Sequence, residues 1–133
     1  MGWKSYGLDQ VAQKLVLDAK ARDVDSLNQS YKMRMATAYG LERFWGEHLR
    51  FQRKESDEYK GQYWKDTWDE LVNVMTDAGF TIPNDPVNAD NVQSVRRMSQ
   101  KLWDLDIETQ RVALAVLTQL CDCIVWWTQR HKE

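Results

Sequence analysis

The stretch "VALAVLTQLCDCIVWW", Val112 to Trp127, is the most apolar part of the chain and decides its fold. Its apolar residues recur at helical spacing, which predicts a helix over about Asp106 to Arg130 that is buried on most sides. We therefore place this helix at the centre of the protein. The run is shorter than the roughly 20 apolar residues that cross a bilayer, and Asp122 interrupts it, so no membrane contact is expected. The predicted core stripe is Ile107, Leu114, Leu117, Cys121, Ile124 and Val125.

Helical periodicity also dominates the rest of the chain, and strand signals are nearly absent. The one clear break is "TIPNDP", Thr81 to Pro86, which holds both prolines. Four helices are predicted before the central one: about Leu8–Ala21, Asp25 or Ser26 to Lys54, about Ser56 to Gly79, and one capped by Asn88 or Asp90. Gly40 and Gly46 are points where the long second helix could bend. Because short loops favour antiparallel neighbours, residues 1–133 are predicted to form a single all-α domain, a compact bundle of about five helices.

The apolar stripes predict which face of each flanking helix enters the core. Gly79 is expected to end the third helix, with Phe80 packing back on its last turn. The predicted stripes are Leu8, Val11, Ala12, Leu15 and Ala19 in the first helix, Trp64, Trp68, Leu71 and Met75 in the third, and Val92, Val95, Met98 and Leu102 in the fourth.

Composition favours a protein of the cytoplasm without a metal or cofactor. The start, "MGWKSYGLDQ", has no apolar run that would serve as a signal peptide. Cys121 and Cys123 lie two residues apart on a predicted helix, so they point to different faces and are expected to be reduced thiols. No glycine-rich phosphate loop and no His/Cys/Asp cluster with metal-ligand spacing is present. The net charge of −2 gives no sign that the whole surface binds a polyanion.

The second predicted helix carries an uneven distribution of charge. Its segment from residue 32 to residue 54 holds six Lys or Arg residues and two Glu residues. When each residue turns the helix by about 100°, four of the six basic residues and one aromatic ring fall within about 60° of arc. Cations neutralise phosphates and a ring stacks on an unpaired base, so this face is a candidate nucleic-acid surface; a solvated charged face or a site for an acidic protein are the alternatives. The face comprises Lys32, Tyr39, Arg43, Arg50 and Lys54, and Arg96, Arg97 and Lys101 of the fourth helix would extend it.

The segment "RFWGEH", Arg43 to His48, raises the possibility of catalysis. A His near neutral pKa and an Arg are what metal-independent RNA cleavage requires at the 2′-OH and the phosphate. The spacing resembles the motif of the HEPN family of helical domains, which implies a ribonuclease. In a regular helix, however, residues five apart diverge by about 140°, so only a bend at Gly46 would join the two side chains. A core or interface histidine is the alternative interpretation of His48.

Two longer segments carry a second resemblance. The middle part, "YKMRMATAYGLERFWGEHLRFQRK", and the last part, "TQRVALAVLTQLCDCIVWWTQRHKE", resemble in pattern the small helical subunit of type III CRISPR effector complexes. The resemblance implies a non-catalytic subunit that stacks with copies of itself and with other effector-complex proteins and lines the channel of the guide RNA and single-stranded target. Many such subunits are more basic than this chain.

The resemblance also implies which residues serve these contacts. The nucleic-acid contacts fall to Lys32, Arg43, Arg50 and Lys54, with Arg53 and Arg97 as further candidates. Trp126 and Trp127 are assigned to subunit contacts, because consecutive Trp residues cannot both face one core stripe. With seven Trp in the chain, a third hypothesis is a phage or host inhibitor that binds a protein through a Trp-rich face.

Overall fold

The structure, a computed structural model, describes residues 7–132, and these form six α-helices and no strand. The predicted all-α bundle is confirmed, with six helices rather than about five because the predicted second helix is divided in two. The six are α1 (Leu8–Arg22), α2 (Gln29–Ala36), α3 (Leu41–Arg50), α4 (Glu58–Asp77), α5 (Val92–Trp103) and α6 (Ile107–His131). Most of the segment "MGWKSYGLDQ", in which no signal peptide is expected, lies outside the described residues.

The helix α6 lies at the centre of the bundle, as the apolar stretch predicts. It packs mainly against α1 and also against α2 and α4. Of the predicted stripe, Leu117, Cys121 and Ile124 are fully buried, whereas Leu114 and Val125 are partly exposed. Six apolar side chains of α6 have no accessible surface, namely Ala113, Val116, Leu117, Leu120, Cys121 and Ile124.

Two predicted core residues are exposed instead. Ile107 has 68% of its surface accessible and Val92 has 60%. Each is the first residue of its helix, α6 and α5 respectively. A helical side chain leans towards the N-terminus, so a side chain in the first position points past the packed turns into solvent.

Aromatic side chains join α3 to α4. The rings of Phe44 and Trp64 have centroids 5.0 Å apart, and those of Phe44 and Trp68 are 6.5 Å apart. Trp68 is fully buried and Trp45 is 1% exposed. The predicted stripe Trp64, Trp68, Leu71 and Met75 is buried throughout. Each buried aromatic ring removes a large apolar area from water. This cluster is therefore a main source of stability for the packing of α3 against α4.

A buried seam of hydroxyl groups joins α2, α4 and α6. The Ser30 Oγ lies 2.6 Å from the Tyr63 Oη and 2.6 Å from the Thr128 Oγ1, and all three residues are buried. The Trp64 Nε1–H donates to the Gln29 Oε1 at 3.0 Å in the same region. Burial raises the pKa of Tyr63 to about 12, so its hydroxyl stays protonated and available as a donor. Since an unpaired buried hydroxyl is costly, the seam fixes the register of the three helices.

The helix ends follow local sequence chemistry with two corrections. Asp25 and Ser26 do not cap the second predicted helix but lie in a 3-10 segment over Val24–Asn28, after which α2 begins. Gly79, at φ 92°, ends α4, and the Phe80 N–H donates to the Met75 carbonyl at 2.9 Å, as expected for a glycine C-terminal motif. The cap of α5 is Asn91, whose side chain accepts from the Ser94 N–H, and not Asn88 or Asp90. Asp90 is instead part of a turn in which its N–H donates to the Asn88 Oδ1 at 2.8 Å.

The predicted second helix is interrupted at Gly40. A 3-10 turn over Thr37–Tyr39 leads into Gly40, at φ 96° and ψ 177°, after which α3 begins. This conformation is almost confined to glycine. The turn redirects the chain, because α2 packs mainly against α6 whereas α3 packs mainly against α4. No bend occurs at Gly46, through which α3 runs without a break.

Within residues 7–132, α6 is long and apolar enough by length and composition to cross a membrane, with a mean hydropathy of 1.3 in its most apolar window. The helix extends beyond the apolar run Val112 to Trp127 at both ends, so its length exceeds that of the run on which the expectation was based. The core helix of a globular protein meets the same criteria. In this protein, α6 packs against α1, α2 and α4. Its composition is therefore weak support for a membrane span.

We predict that Gly40→Ala destabilises the protein by about 1–3 kcal/mol, because alanine is strained in this backbone conformation. The matched control is Gly46→Ala, where the backbone is helical and a new Cβ would lie 3.8 Å from the Glu42 Oε2. That substitution is expected to stabilise the protein by about 0.5–1 kcal/mol through helix propensity. Urea unfolding of both variants checks the prediction, and equal changes of the unfolding midpoint would contradict it.

Candidate nucleic-acid interface

The turn at Gly40 sets α2 and α3 on two sides of a concavity of about 530 Å³. We call this concavity the Lys32 groove. It brings together four residues of the predicted basic face, Lys32, Tyr39, Arg43 and Arg50, and is also lined by Met35, Glu42 and Glu47. The four residues therefore share one surface although they do not lie on one continuous helix.

The charges of the Lys32 groove are only partly compensated. The Arg50 Nε donates to the Glu47 Oε1 at 2.6 Å, a contact that also raises the pKa of the arginine. The Glu42 Oε2 accepts from the Ser99 Oγ at 2.7 Å. Among the ion pairs of the described residues, neither Lys32 nor Arg43 takes part. These two cations are the ones that an incoming anion meets without first displacing a carboxylate.

An aromatic ring lies beside the free cations. Tyr39 has 68% of its surface exposed, and the Arg43 guanidinium carbon lies 5.6 Å from the centre of its ring. Met35, 70% exposed, adds an apolar side chain to the same groove. The backbone that carries the ring belongs to the turn before Gly40, because Tyr39 is the last residue of the 3-10 segment. The groove thus offers a stacking face next to unpaired positive charge.

Arg53 and Lys54 lie elsewhere, contrary to the prediction that Lys54 continues the basic face. The helix α3 ends at Arg50, and Lys54 has extended backbone at φ −129°. Both residues line a different concavity of about 570 Å³, which we call the His48 cleft. Glu55, Glu58 and Lys65 line it as well. Arg97 is exposed on α5 and lines neither the Lys32 groove nor the His48 cleft.

The structure does not bring Arg43 and His48 together. Arg43 is exposed in the Lys32 groove, whereas His48 is 6% exposed and contributes to the wall of the His48 cleft. The His48 Nδ1 lies 2.5 Å from the Trp45 carbonyl oxygen, which can only accept, so Nδ1 carries the proton. Burial lowers the pKa of His48, which keeps the ring neutral. The regular course of α3 through Gly46 leaves the two residues on different sides of the helix.

The end of α6 forms a separate aromatic and basic cluster. Trp126 is 55% exposed and Trp127 is partly buried, with ring centroids 5.2 Å apart. The Arg130 guanidinium lies 5.6 Å from the first ring and 5.1 Å from the second. Trp127 stacks on His131 at 5.7 Å with nearly parallel rings. One Trp of the pair is thus available to a partner, and the other is largely engaged within the chain.

Trp103 lines a further concavity that the sequence did not indicate. It ends α5 and is 61% exposed, and the concavity of about 320 Å³ that it lines is shared with Tyr39 and Arg43. The available signal was its position one residue after the buried Leu102, which places it off the apolar stripe of α5. Nothing in the sequence showed that the end of α5 lies beside the Gly40 turn.

Residues that could hold a metal do not gather in the part of the chain that is described. No group of three or more His, Cys, Asp or Glu residues is arranged for a metal ion within residues 7–132. Cys121 and Cys123 are both free thiols, and burial raises the pKa of each, that of Cys123 to about 11. Both are therefore protonated at neutral pH and poor nucleophiles.

Comparison of the chain with protein-family models, with curated proteins and with solved structures found no match. The interpretation of the site therefore depends on its geometry.

We predict that the buried His48 makes folding stability depend on pH. Its pKa is lowered in the folded protein, so the unfolded chain binds the proton more readily and stability falls as the pH drops below about 6.5. The free energy of unfolding, measured from pH 7.5 to 5, should therefore fall more steeply for the natural protein than for His48→Gln. An identical pH dependence in both proteins would contradict the prediction.

Proposed function

We propose that the protein is a non-catalytic subunit of a cytoplasmic RNA-guided effector complex and holds single-stranded nucleic acid in the Lys32 groove. The observation that carries the proposal is the convergence of Lys32, Tyr39 and Arg43 on one concave surface. The resemblance to the small subunit of type III CRISPR effector complexes supports the kind of assembly. Guide RNA or single-stranded target, other proteins of the complex and further copies of this chain are the proposed partners.

Contacts to phosphate groups would supply most of the affinity of the Lys32 groove for single-stranded nucleic acid. Lys32 and Arg43 are exposed and take part in none of the described ion pairs, so each is free to neutralise one phosphate and release its counterions. Arg50 is already paired with Glu47 and contributes less. With Glu42 and Glu47 in the same groove and a net charge of −2 for the chain, binding by the isolated protein is expected to be weak and sensitive to salt.

The exposed Tyr39 ring favours a single strand over a duplex as the ligand. A base in a duplex is stacked on its neighbours and presents no free face, whereas an unpaired base stacks on an aromatic side chain. The Arg43 guanidinium beside this ring would contact both the ring and a neighbouring phosphate. Stacking on an aromatic ring tolerates any base, as suits a subunit that follows a guide or target of any sequence.

The α6 end cluster suits contacts to other subunits. Trp126 presents an exposed ring that is flanked by Arg130, a pair of residue types that often carries binding energy at protein interfaces. The same cluster would serve the alternative function, an inhibitor that binds a protein through its Trp residues. Nucleic-acid binding by the Lys32 groove distinguishes the two functions.

The HEPN-like ribonuclease is the second candidate function. Its support is that His48 is neutral and shares its cleft with Arg53 and Lys54, so a base and two cations line one concavity. Arg43, the partner that the motif requires, lies in the other groove. RNA cleavage lost in His48→Ala would establish this function in place of the proposed one.

We predict that Lys32→Ala/Arg43→Ala weakens the binding of single-stranded RNA. The slope of log affinity against log salt should decrease in magnitude by about 1.4, or about 0.7 for each phosphate contact. Fluorescence anisotropy with a labelled oligonucleotide measures both quantities, and gel analysis of the recovered RNA is expected to show full-length strands.

The matched control is Arg53→Ala/Lys54→Ala, which removes the same charge from the His48 cleft. It should leave the affinity within about twofold of the natural protein. Equal losses in the two double variants would mean that overall charge, and not the Lys32 groove, determines binding, and this would contradict the proposal.

A further inference from the structure

Two exposed aromatic rings, Tyr39 and Trp103, line one concavity together with Arg43. Tyr39 belongs to the segment before the Gly40 turn, and Trp103 is the last residue of α5. They are 68% and 61% exposed, among the most exposed large apolar side chains of the described residues. Exposing rings of this size to water has a cost that a stacking partner would remove.

The two rings belong to one continuous depression. The Lys32 groove and the concavity that contains Trp103 have three lining residues in common, Tyr39, Glu42 and Arg43. The two concavities therefore adjoin at Tyr39 and Arg43, and a single strand that occupies both would pass these residues between Lys32 and Trp103.

Trp103 is held at this place by the turn between α5 and α6. The Gln110 Nε2 donates to the Trp103 carbonyl oxygen at 3.3 Å and to the Leu105 carbonyl oxygen at 2.6 Å. The neighbouring Leu102 is 2% exposed and anchors the end of α5 in the core. The backbone that carries the ring is thus ordered before any ligand binds, so a base that stacks on the ring does not have to order this part of the chain.

We propose that Trp103 is a second base-stacking residue, so that the depression binds a single strand with unpaired bases on Tyr39 and Trp103 and its backbone beside Arg43. This inference deepens the proposed function and rests on it. The ligand class is a single-stranded oligonucleotide at least two nucleotides long. An indole ring suits any base, because every base has a π-face.

The test compares two ligands of equal charge, a short oligouridylate and an abasic oligomer of the same length. The natural protein should bind the oligouridylate more tightly, since only that ligand has bases to stack. Trp103→Ala should weaken binding to the oligouridylate at least about fivefold and leave binding to the abasic oligomer within about twofold. Trp103→Phe, which keeps a ring, should recover most of the affinity.

Trp126→Ala is the matched control, because Trp126 is similarly exposed, at 55%, but belongs to the α6 end cluster. It should change neither affinity. If Trp103→Ala binds the oligouridylate as tightly as the natural protein, or loses affinity for both ligands equally, Trp103 is not a stacking residue and the inference is overturned. Failure of the natural protein to bind either ligand would overturn the proposed function itself.

Discussion

The turn at Gly40, where a positive φ favours glycine, is the constraint on which the candidate interface depends. A continuous helix from α2 into α3 would keep both on one line, yet α2 shares its buried hydroxyl seam with α4 and α6, and α3 contributes Phe44 to the ring cluster with α4. Both sets of buried contacts form only if the chain changes direction between them. Glycine supplies that change without the strain that another residue would bring.

The same turn explains why the predicted grouping of basic residues on one surface holds only in part. Lys32 and Tyr39 precede Gly40 and Arg43 and Arg50 follow it, and the two short helices still present these residues to one concavity. The prediction was wrong for Lys54, because α3 ends at Arg50 and the backbone becomes extended. Helical periodicity predicts a shared face only as far as the helix continues, and the sequence shows Gly40 as a weak point without showing that the chain turns there.

The fold was largely predictable because its strongest signal is long and regular. The apolar stripe of α6 and the Trp64–Trp68 stripe repeat over several turns; the second is buried throughout, and Leu117, Cys121 and Ile124 of the first are buried. The exceptions, Ile107 and Val92, lie at first helical positions where the same periodicity holds but no neighbour covers the side chain. Trp103 was not predictable as a site residue, because its position beside Arg43 depends on the packing of α5 on α3, a contact between distant parts of the chain.

Ultraviolet crosslinking of a uridine-rich single strand to the protein, followed by peptide mass spectrometry, would show whether the strand lies in the Lys32 groove. Aromatic side chains that stack on bases form such crosslinks, so the position of the strand is recorded without any substitution. If the strand binds in the Lys32 groove, we expect crosslinks at Tyr39, and stacking on Trp103 would give a second crosslinked position. Crosslinks confined to the α6 end cluster or to the residues of the His48 cleft would show that nucleic acid lies elsewhere and would contradict the account.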